Sequence, residues 1–437
     1  MNIDKPVITG FGAVSCLGLN SRQMWDSLLN GRCGISPITS FDASSFPCKI
    51  AGEVKDFSIS NYIPKSYRKS IKIMSRDIEL AVGAAYEAFV SAGLVTKAIN
   101  PEKVNINPTR VGMNVGAGMM CCDLEELALS AAASKIDDHF DYKKWGKDGL
   151  ELIPPLWLLK YLPNMPACHI SIIHYTQGPS NSITCAEVSS QLAISEACLT
   201  LNRGVCDIIL AGGTDVRVNP MGIIRHWLLK RTTTEFADEP DKACRPFDSQ
   251  AGGSVFGNAA GIVVVENPQS AAKRDAKVYA EVAGTGQSSN INPAYQNLEP
   301  DGRGITIAIQ KALAEAGITP NQLDLIIPHG TGIAADDLAE SRGIETALGK
   351  AVQNVPVWPT KSMLANNGAA AGALDCIAAC MAMAEGVIPA AKNCDKKAEG
   401  CNLNISMKSQ KKNIKYALIC GYTFGGQTAA IILRSVN

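Results

Sequence analysis

Apolar runs of strand length that stop at glycines recur along this chain. They span residues 7–15 with Gly10 and Gly12, 111–118, 206–213, and 414–420 ahead of Gly425-Gly426. Between them lie segments with apolar residues at helical spacing, such as 78–86 and 304–316. Strands alternating with helices predict mostly parallel sheets covered by helices. The order then repeats, with a strand at 277–284, a helix at 304–316, a strand at 323–328 running into His329, and the final strand at 414–420. The echo predicts a duplicated α/β unit with halves 1–265 and 266–437 and a seam near Glu266. The more charged, less regular stretch 123–166 reads as an insertion between core elements.

The chain is 437 residues long, 46% hydrophobic and 19% charged, which suits a large buried core and argues against extended disorder. Its formal net charge is zero, so no bulk attraction to nucleic acid or to a membrane surface is expected. The fifteen cysteines include the pair Cys121-Cys122 but no CxxC spacing, so no metal site is expected. No apolar leader opens the chain, and a cytoplasmic protein with reduced thiols is the expectation. The apolar stretch 369–391 carries Asp375 and Glu385 and is broken by Gly372, Gly386 and Pro389; it predicts a buried core helix rather than a membrane span. Gly116-Ala117-Gly118 lacks the third glycine and acidic partner of a dinucleotide fingerprint, so no cofactor is expected and a nucleotide site is the alternative.

The stretch Gly178-Pro179-Ser180-Asn181-Ser182-Ile183-Thr184-Cys185-Ala186-Glu187-Val188 ends a strand-like run and opens a helix. Such an elbow exposes its central side chain beside free helical N–H groups. The central residue here is Glu187. Other strand ends carry His329 in Pro328-His329-Gly330-Thr331-Gly332, Lys361 and Asn366 in Thr360-Lys361-Ser362-Met363-Leu364-Ala365-Asn366-Asn367-Gly368, and Phe424 before Gly425-Gly426. Each has a plain alternative: a glutamate at a helix start as a dipole-favoured cap, a lone histidine as a structural residue, Asn-Asn-Gly as a turn.

Taken together, these blocks resemble the β-ketoacyl-acyl-carrier-protein synthases, the ketosynthases of the thiolase-like fold, over nearly the full chain. The resemblance is carried by residues 7–15; Leu162-Pro163-Asn164-Met165; Gly178-Pro179-Ser180; and Gly204 with Asp207 and Ala211-Gly212-Gly213. It continues in Arg245-Pro246-Phe247-Asp248; Ala280-Glu281-Val282; His329-Gly330-Thr331-Gly332 with Asp337 and Glu340; Thr360-Lys361-Ser362-Met363; and Phe424-Gly425-Gly426. It implies a five-layered αβαβα sandwich of two similar halves, a dimer, and a partner acyl carrier protein with a phosphopantetheine-bound acyl chain. It further implies acyltransferase chemistry in fatty acid or polyketide synthesis, in which an elbow cysteine takes the acyl chain and two histidines assist decarboxylation of the malonyl unit.

Two positions depart from that pattern. Counting from Gly178 and from Ala211-Gly212-Gly213 both place Glu187 at the nucleophile position, with Cys185 two residues out of register. The first family histidine is kept as His329, whereas the second is Asn366; Lys361 is kept, as is Phe424 at the position that gates the acyl pocket. A carboxylate is a poor acyl acceptor, because the mixed anhydride lies above a thioester in energy. An anionic Glu187 also opposes enolate formation: a like pair at ~4 Å and an effective dielectric of ~20 costs about 4 kcal/mol, about three decades of rate.

The leading expectation is therefore a non-condensing, chain-length-factor-like partner of an active ketosynthase. The alternatives are a thioester enzyme (decarboxylase or unusual acyltransferase) using His329, Asn366 and Lys361, and an acyl-carrier-protein binding module without turnover. Arg68, Lys69, Lys72 and Arg76, with Lys230-Arg231, offer a basic face for an acidic carrier protein; a solvated charged surface is the alternative.

Overall fold

A computed structural model describes residues 5–290 and 298–436. Among these residues nine strands form the main sheet. They are β1 (Val7–Val14), β2 (Val111–Ala117), β3 (Ser180–Ile183), β4 (Ile208–Val216), β5 (Asn258–Glu266), β6 (Ala280–Ser289), β7 (Leu325–Ile327), β8 (Tyr416–Tyr422) and β9 (Gln427–Arg434). Their spatial order is β7-β8-β9-β6-β1-β5-β4-β2-β3. The join between β1 and β6 is narrow, with only Val7 opposite Glu281 and Ile8 opposite Ala280. The sheet folds back at this join, so that its two halves face each other.

The helices that fill and cover the fold are α1 (Arg76–Ser91), α2 (Met165–His174), α3 (Ser189–Asn202), α4 (Pro220–Leu228), α5 (Arg303–Ala316), α6 (Ala334–Leu348) and α7 (Ala371–Glu385). Helices α3 and α7 lie between the two half-sheets and share one core with both. In that core Ile194, Ala197, Ile377 and Ala378 meet Ile209 and Val263 from one half-sheet and Ile419 and Ile431 from the other. Helix α1 covers the outer face of one half through Ile78, Val82, Ala85 and Phe89, while α5 covers the other through Ile305, Ala308, Ile309 and Ala312. The result is the five-layered αβαβα sandwich that the resemblance implied.

The two halves repeat one plan. The central strand β4 is parallel to β2 and antiparallel to β5, and its counterpart β8 is parallel to β7 and antiparallel to β9. The sheet is therefore mixed, with more antiparallel than parallel pairings, which corrects the expectation of mostly parallel sheets. The reason is local. Residues 423–426 between β8 and β9 are too few for a helical crossover, so the chain returns antiparallel.

The apolar stretch at 369–391 gives α7. Residues Gly368–Glu385 are long and apolar enough to cross a membrane, yet 89% of them are buried inside this fold. Within 123–166, α-helical structure at Leu124–Ala133 buries only Ser130, and Leu129, Tyr142, Leu156 and Leu158 face outward.

Close approach of backbone to backbone fixes where the site sits. A Cβ at Gly213 on β4 would lie 2.2 Å from the Ala369 carbonyl oxygen, at the entry to α7. Overpacking of this kind typically costs about 1–3 kcal/mol. Gly213→Ala is accordingly expected to lower the unfolding free energy by that much, seen as a lower urea midpoint at unchanged m, and an unchanged midpoint in a urea titration would contradict the contact.

Candidate functional site

Strand β3 leads through Cys185 into a positive-φ turn at Ala186 (φ 44°), a 3-10 turn at Ala186–Val188, and then α3. The helix begins at Ser189, directly after this turn. The turn drives Glu187 inward, where it is 4% exposed, while Cys185 stays half-buried with its backbone N–H donating to Ser189 Oγ at 2.8 Å. Burial pushes the Cys185 thiol up, so it holds its proton at neutral pH. A cavity of about 300 Å³ opens beside the elbow, and Thr184, Ala186, Glu187 and Phe424 line it; Cys185 is not among its lining residues. The geometry keeps Glu187, not Cys185, at the elbow's centre.

The partner of Glu187 is a residue that sequence reasoning missed. Arg217, just past the end of β4, donates from Nη1 to Glu187 Oε1 at 2.8 Å and from Nε to Asp215 Oδ2 at 2.9 Å. All three side chains are buried. Asp215 Oδ2 also accepts the Ala369 N–H at 2.9 Å, which ties β4 to the turn before α7. The guanidinium stands 5.3 Å from the Phe256 ring, on which His226 also packs at 3.9 Å. Burial alone would raise the Glu187 carboxyl; the Arg217 charge and hydrogen bond outweigh it and hold the group well below the usual carboxylate range. The anion is thus neutralised mainly by a side chain, where the sequence pointed to the helix N-terminus as its stabiliser. Asp77, whose Oδ1 accepts the Val216 N–H at 2.9 Å, is pushed up to about 8, by burial first and by Asp215 second.

His329 follows β7 on a loop held by two carboxylates of α6. Glu340 accepts the N–H groups of His329 (2.6 Å) and Gly330 (2.7 Å), and Asp337 accepts those of Thr331 (2.8 Å), Gly332 (3.1 Å) and Phe247 (2.8 Å). Three residues apart on one helix face, these acids reach successive amides of the loop. The imidazole lies edge-on to Tyr422, 4.6 Å between centroids. Burial first, then the Lys361 charge, hold His329 well below the ordinary histidine value, so it is a neutral ring.

Lys361 is buried, with Nζ 3.1 Å from Asp375 Oδ2 on α7; Thr360 Oγ1 donates to the other oxygen of Asp375 at 2.5 Å. Asn366 is buried in the turn that precedes α7, its Oδ1 accepting the Gly368 N–H at 3.1 Å and its backbone N–H donating to Val255 at 2.8 Å. That turn carries positive φ at Ala365 and Gly368, so the plain turn reading of Asn-Asn-Gly also holds. Phe424 is half-buried between the cavity and the Arg231 guanidinium, 4.5 Å from its ring.

The electrostatic ties run from Glu187 to Arg217 and Arg231, and between His329 and both Glu187 and Lys361. Arg231, offered from sequence as part of a docking face, is instead buried and ion-paired with Asp336. Arg76 is engaged by Glu79 at 2.8 Å and by the Phe57 ring, which leaves Arg68, Lys69 and Lys72 exposed on a 3-10 helix (Lys65–Ile73) rather than on an α-helix.

Two family models match the chain: the N-terminal domain of β-ketoacyl synthase over residues 4–271 and its C-terminal domain over 279–395. The chain belongs to the β-ketoacyl synthase family, and its fold is thiolase-like. A protein named 3-oxoacyl-[acyl-carrier-protein] synthase 2 from Coxiella burnetii is 33% identical over 99% of both chains. Its namesake in Vibrio harveyi is 31% identical over 100% of both. Among solved structures, the ishigamide ketosynthase/chain length factor matches with a TM-score of 0.85 at 26% identity, covering 100% of each chain.

Removing the cation tests the ion network. Arg217→Ala leaves two buried carboxylates without their shared cation, and losses of about 3–5 kcal/mol are expected for such a change. Because the folded Glu187 carboxyl titrates below its unfolded value, its stabilisation is present above the ordinary carboxylate pKa and fades as pH falls through the folded value. The stability gap between wild type and Arg217→Ala in urea titrations should therefore be widest near pH 7 and shrink toward pH 3. A gap independent of pH would contradict the pairing.

Proposed function

We propose that this protein is a non-condensing, chain-length-factor-like partner of an active β-ketoacyl-acyl-carrier-protein synthase in type II fatty acid or polyketide synthesis. The observation that carries this reading is the buried Glu187–Arg217 pair at the centre of the elbow. Condensation needs a nucleophile that accepts an acyl group. A carboxylate tied to a guanidinium and held in its anionic form is neither a thiolate nor a base of useful strength. The relatives from Coxiella burnetii and Vibrio harveyi are named as synthases.

A protein partner is supported by the surface. Strand β3 is the edge of the main sheet and its Ser180 and Asn181 are exposed. Unpaired strand edges and clustered outward apolar side chains favour association with another chain. Ile172 and Tyr175 from α2 and its end, and Met221, Trp227 and Leu228 of α4, add such side chains to those of residues 123–166. The acyl carrier protein is the second partner, with the exposed Arg68, Lys69 and Lys72 as its docking face.

A second reading, decarboxylation of a malonyl thioester at His329, Asn366 and Lys361, gains one supporting observation. Arg217 offsets the Glu187 charge that would otherwise repel a developing enolate.

Co-expression with candidate ketosynthases from the same source should give a stable heterodimer, and the protein alone should form no 3-oxoacyl product from acyl- and malonyl-carrier protein. Condensation by the protein alone that is lost in Cys185→Ser would overturn the reading. Carbon dioxide release from malonyl-carrier protein that is lost in His329→Ala would favour the decarboxylase.

A further inference from the structure

Phe424 stands where the elbow cavity meets the turn between β8 and β9. Its ring lines the cavity and is half-buried. Among the described residues it joins none of the four apolar clusters that make up the core. Two glycines follow it, with Gly426 at φ 114°, so the backbone beyond the ring is permissive. Nothing in that turn fixes the ring by itself.

A charge meets the ring instead. The Arg231 guanidinium lies 4.5 Å from its centroid. Arg231 is buried and ion-paired with Asp336, whose side chain is fully buried and whose other oxygen accepts the Leu298 N–H at 3.4 Å. The cation is thus anchored on one side and offered to the ring on the other. A cation over an aromatic face is attracted by the ring quadrupole, more strongly where both are withdrawn from water. The same guanidinium adds to the positive charge that holds Glu187 as an anion, so it serves the elbow and the ring together.

We infer that Arg231 is a positioning residue that clasps Phe424 in the cavity wall, with Asp336 as its anchor, and that the cavity keeps its volume of about 300 Å³ through this clasp. Its purpose rests on the proposed partner role: a subunit that contributes shape rather than turnover needs a wall that does not yield to what lies against it.

The test is fluorine-19 NMR of the full chain labelled with 4-fluorophenylalanine, the Phe424 signal being assigned by its loss in Phe424→Leu. The double variant Arg231→Met, Asp336→Asn removes both charges and leaves no carboxylate buried alone. Arg231→Lys keeps a cation opposite Asp336. In the unaltered chain the Phe424 signal should be single and sharp. In the double variant the share of displaced ring should rise about tenfold or more, as loss of a desolvated cation–π contact allows, and the signal should broaden or split while those of the core phenylalanines stay. Arg231→Lys should keep most of the sharp signal. A Phe424 signal that remains single and sharp in the double variant overturns the inference. If that variant does not fold, a temperature series on the unaltered chain decides: a clasped ring stays sharp up to global unfolding, and broadening of the Phe424 signal alone well below it overturns the clasp. The functional reading fails separately, by condensation in the product assay.

Discussion

A buried guanidinium between two buried carboxylates is the constraint on which the rest of the site depends. Arg217 meets Glu187 and Asp215 at 2.8 and 2.9 Å, and all three groups are withdrawn from water. An unpaired carboxylate at this depth would sooner take up a proton than stay charged. With Arg217 in place the charged form wins, and under the proposed function the elbow presents an ion pair where a condensing enzyme would present its reactive group. Such pairs seldom add net stability over an apolar filling of the same volume. Their consequence here is chemical, since they fix what the elbow is able to do.

The fold brings that pair together from parts far apart in the chain. Glu187 comes from the turn after the edge strand β3, Arg217 from the end of β4, and Asp215 anchors that end to Ala369 before α7. His329, Lys361 and Asn366 arrive from the second half of the chain, each at a strand or helix terminus. The halves share one plan and their central helices α3 and α7 lie side by side in the middle layer. The inherited loop around His329, with Asp337 and Glu340 accepting its amides, is intact. A scaffold this complete, with Glu187 and Asn366 at the two departing positions, is what the proposed partner role would require.

Much of this was legible in the sequence. Glycine-ended apolar runs marked β1, β2, β4 and β8, and the helical spacing at 78–86 and 304–316 marked α1 and α5. Ordered motif blocks singled out Glu187, His329, Lys361, Asn366 and Phe424 as candidates. The strand directions were not legible, because nothing in an apolar run tells whether its neighbour is reached by a crossover or by a tight return such as the one between β8 and β9. Arg217 was not legible either. It sits thirty residues from Glu187 in sequence, in an unremarked Asp-Val-Arg-Val stretch, and only packing of β4 beside the elbow reveals the pair. Arg231 misled in the opposite sense, since adjacent Lys230-Arg231 reads as surface charge, yet Asp336 draws the arginine inside.

The ionisation state of Glu187 is the most direct measure of this account. Carbon-13 NMR of protein labelled at glutamate side-chain carboxyls, with the Glu187 signal assigned by its loss in Glu187→Gln, follows that group through a pH titration. The account predicts a carboxylate shift that stays constant from neutral pH down through the ordinary glutamate range, with protonation only below it. A Glu187 signal that titrates at or above the ordinary value near 4.3 would contradict the ion pair, and with it the claim that the elbow is held inert.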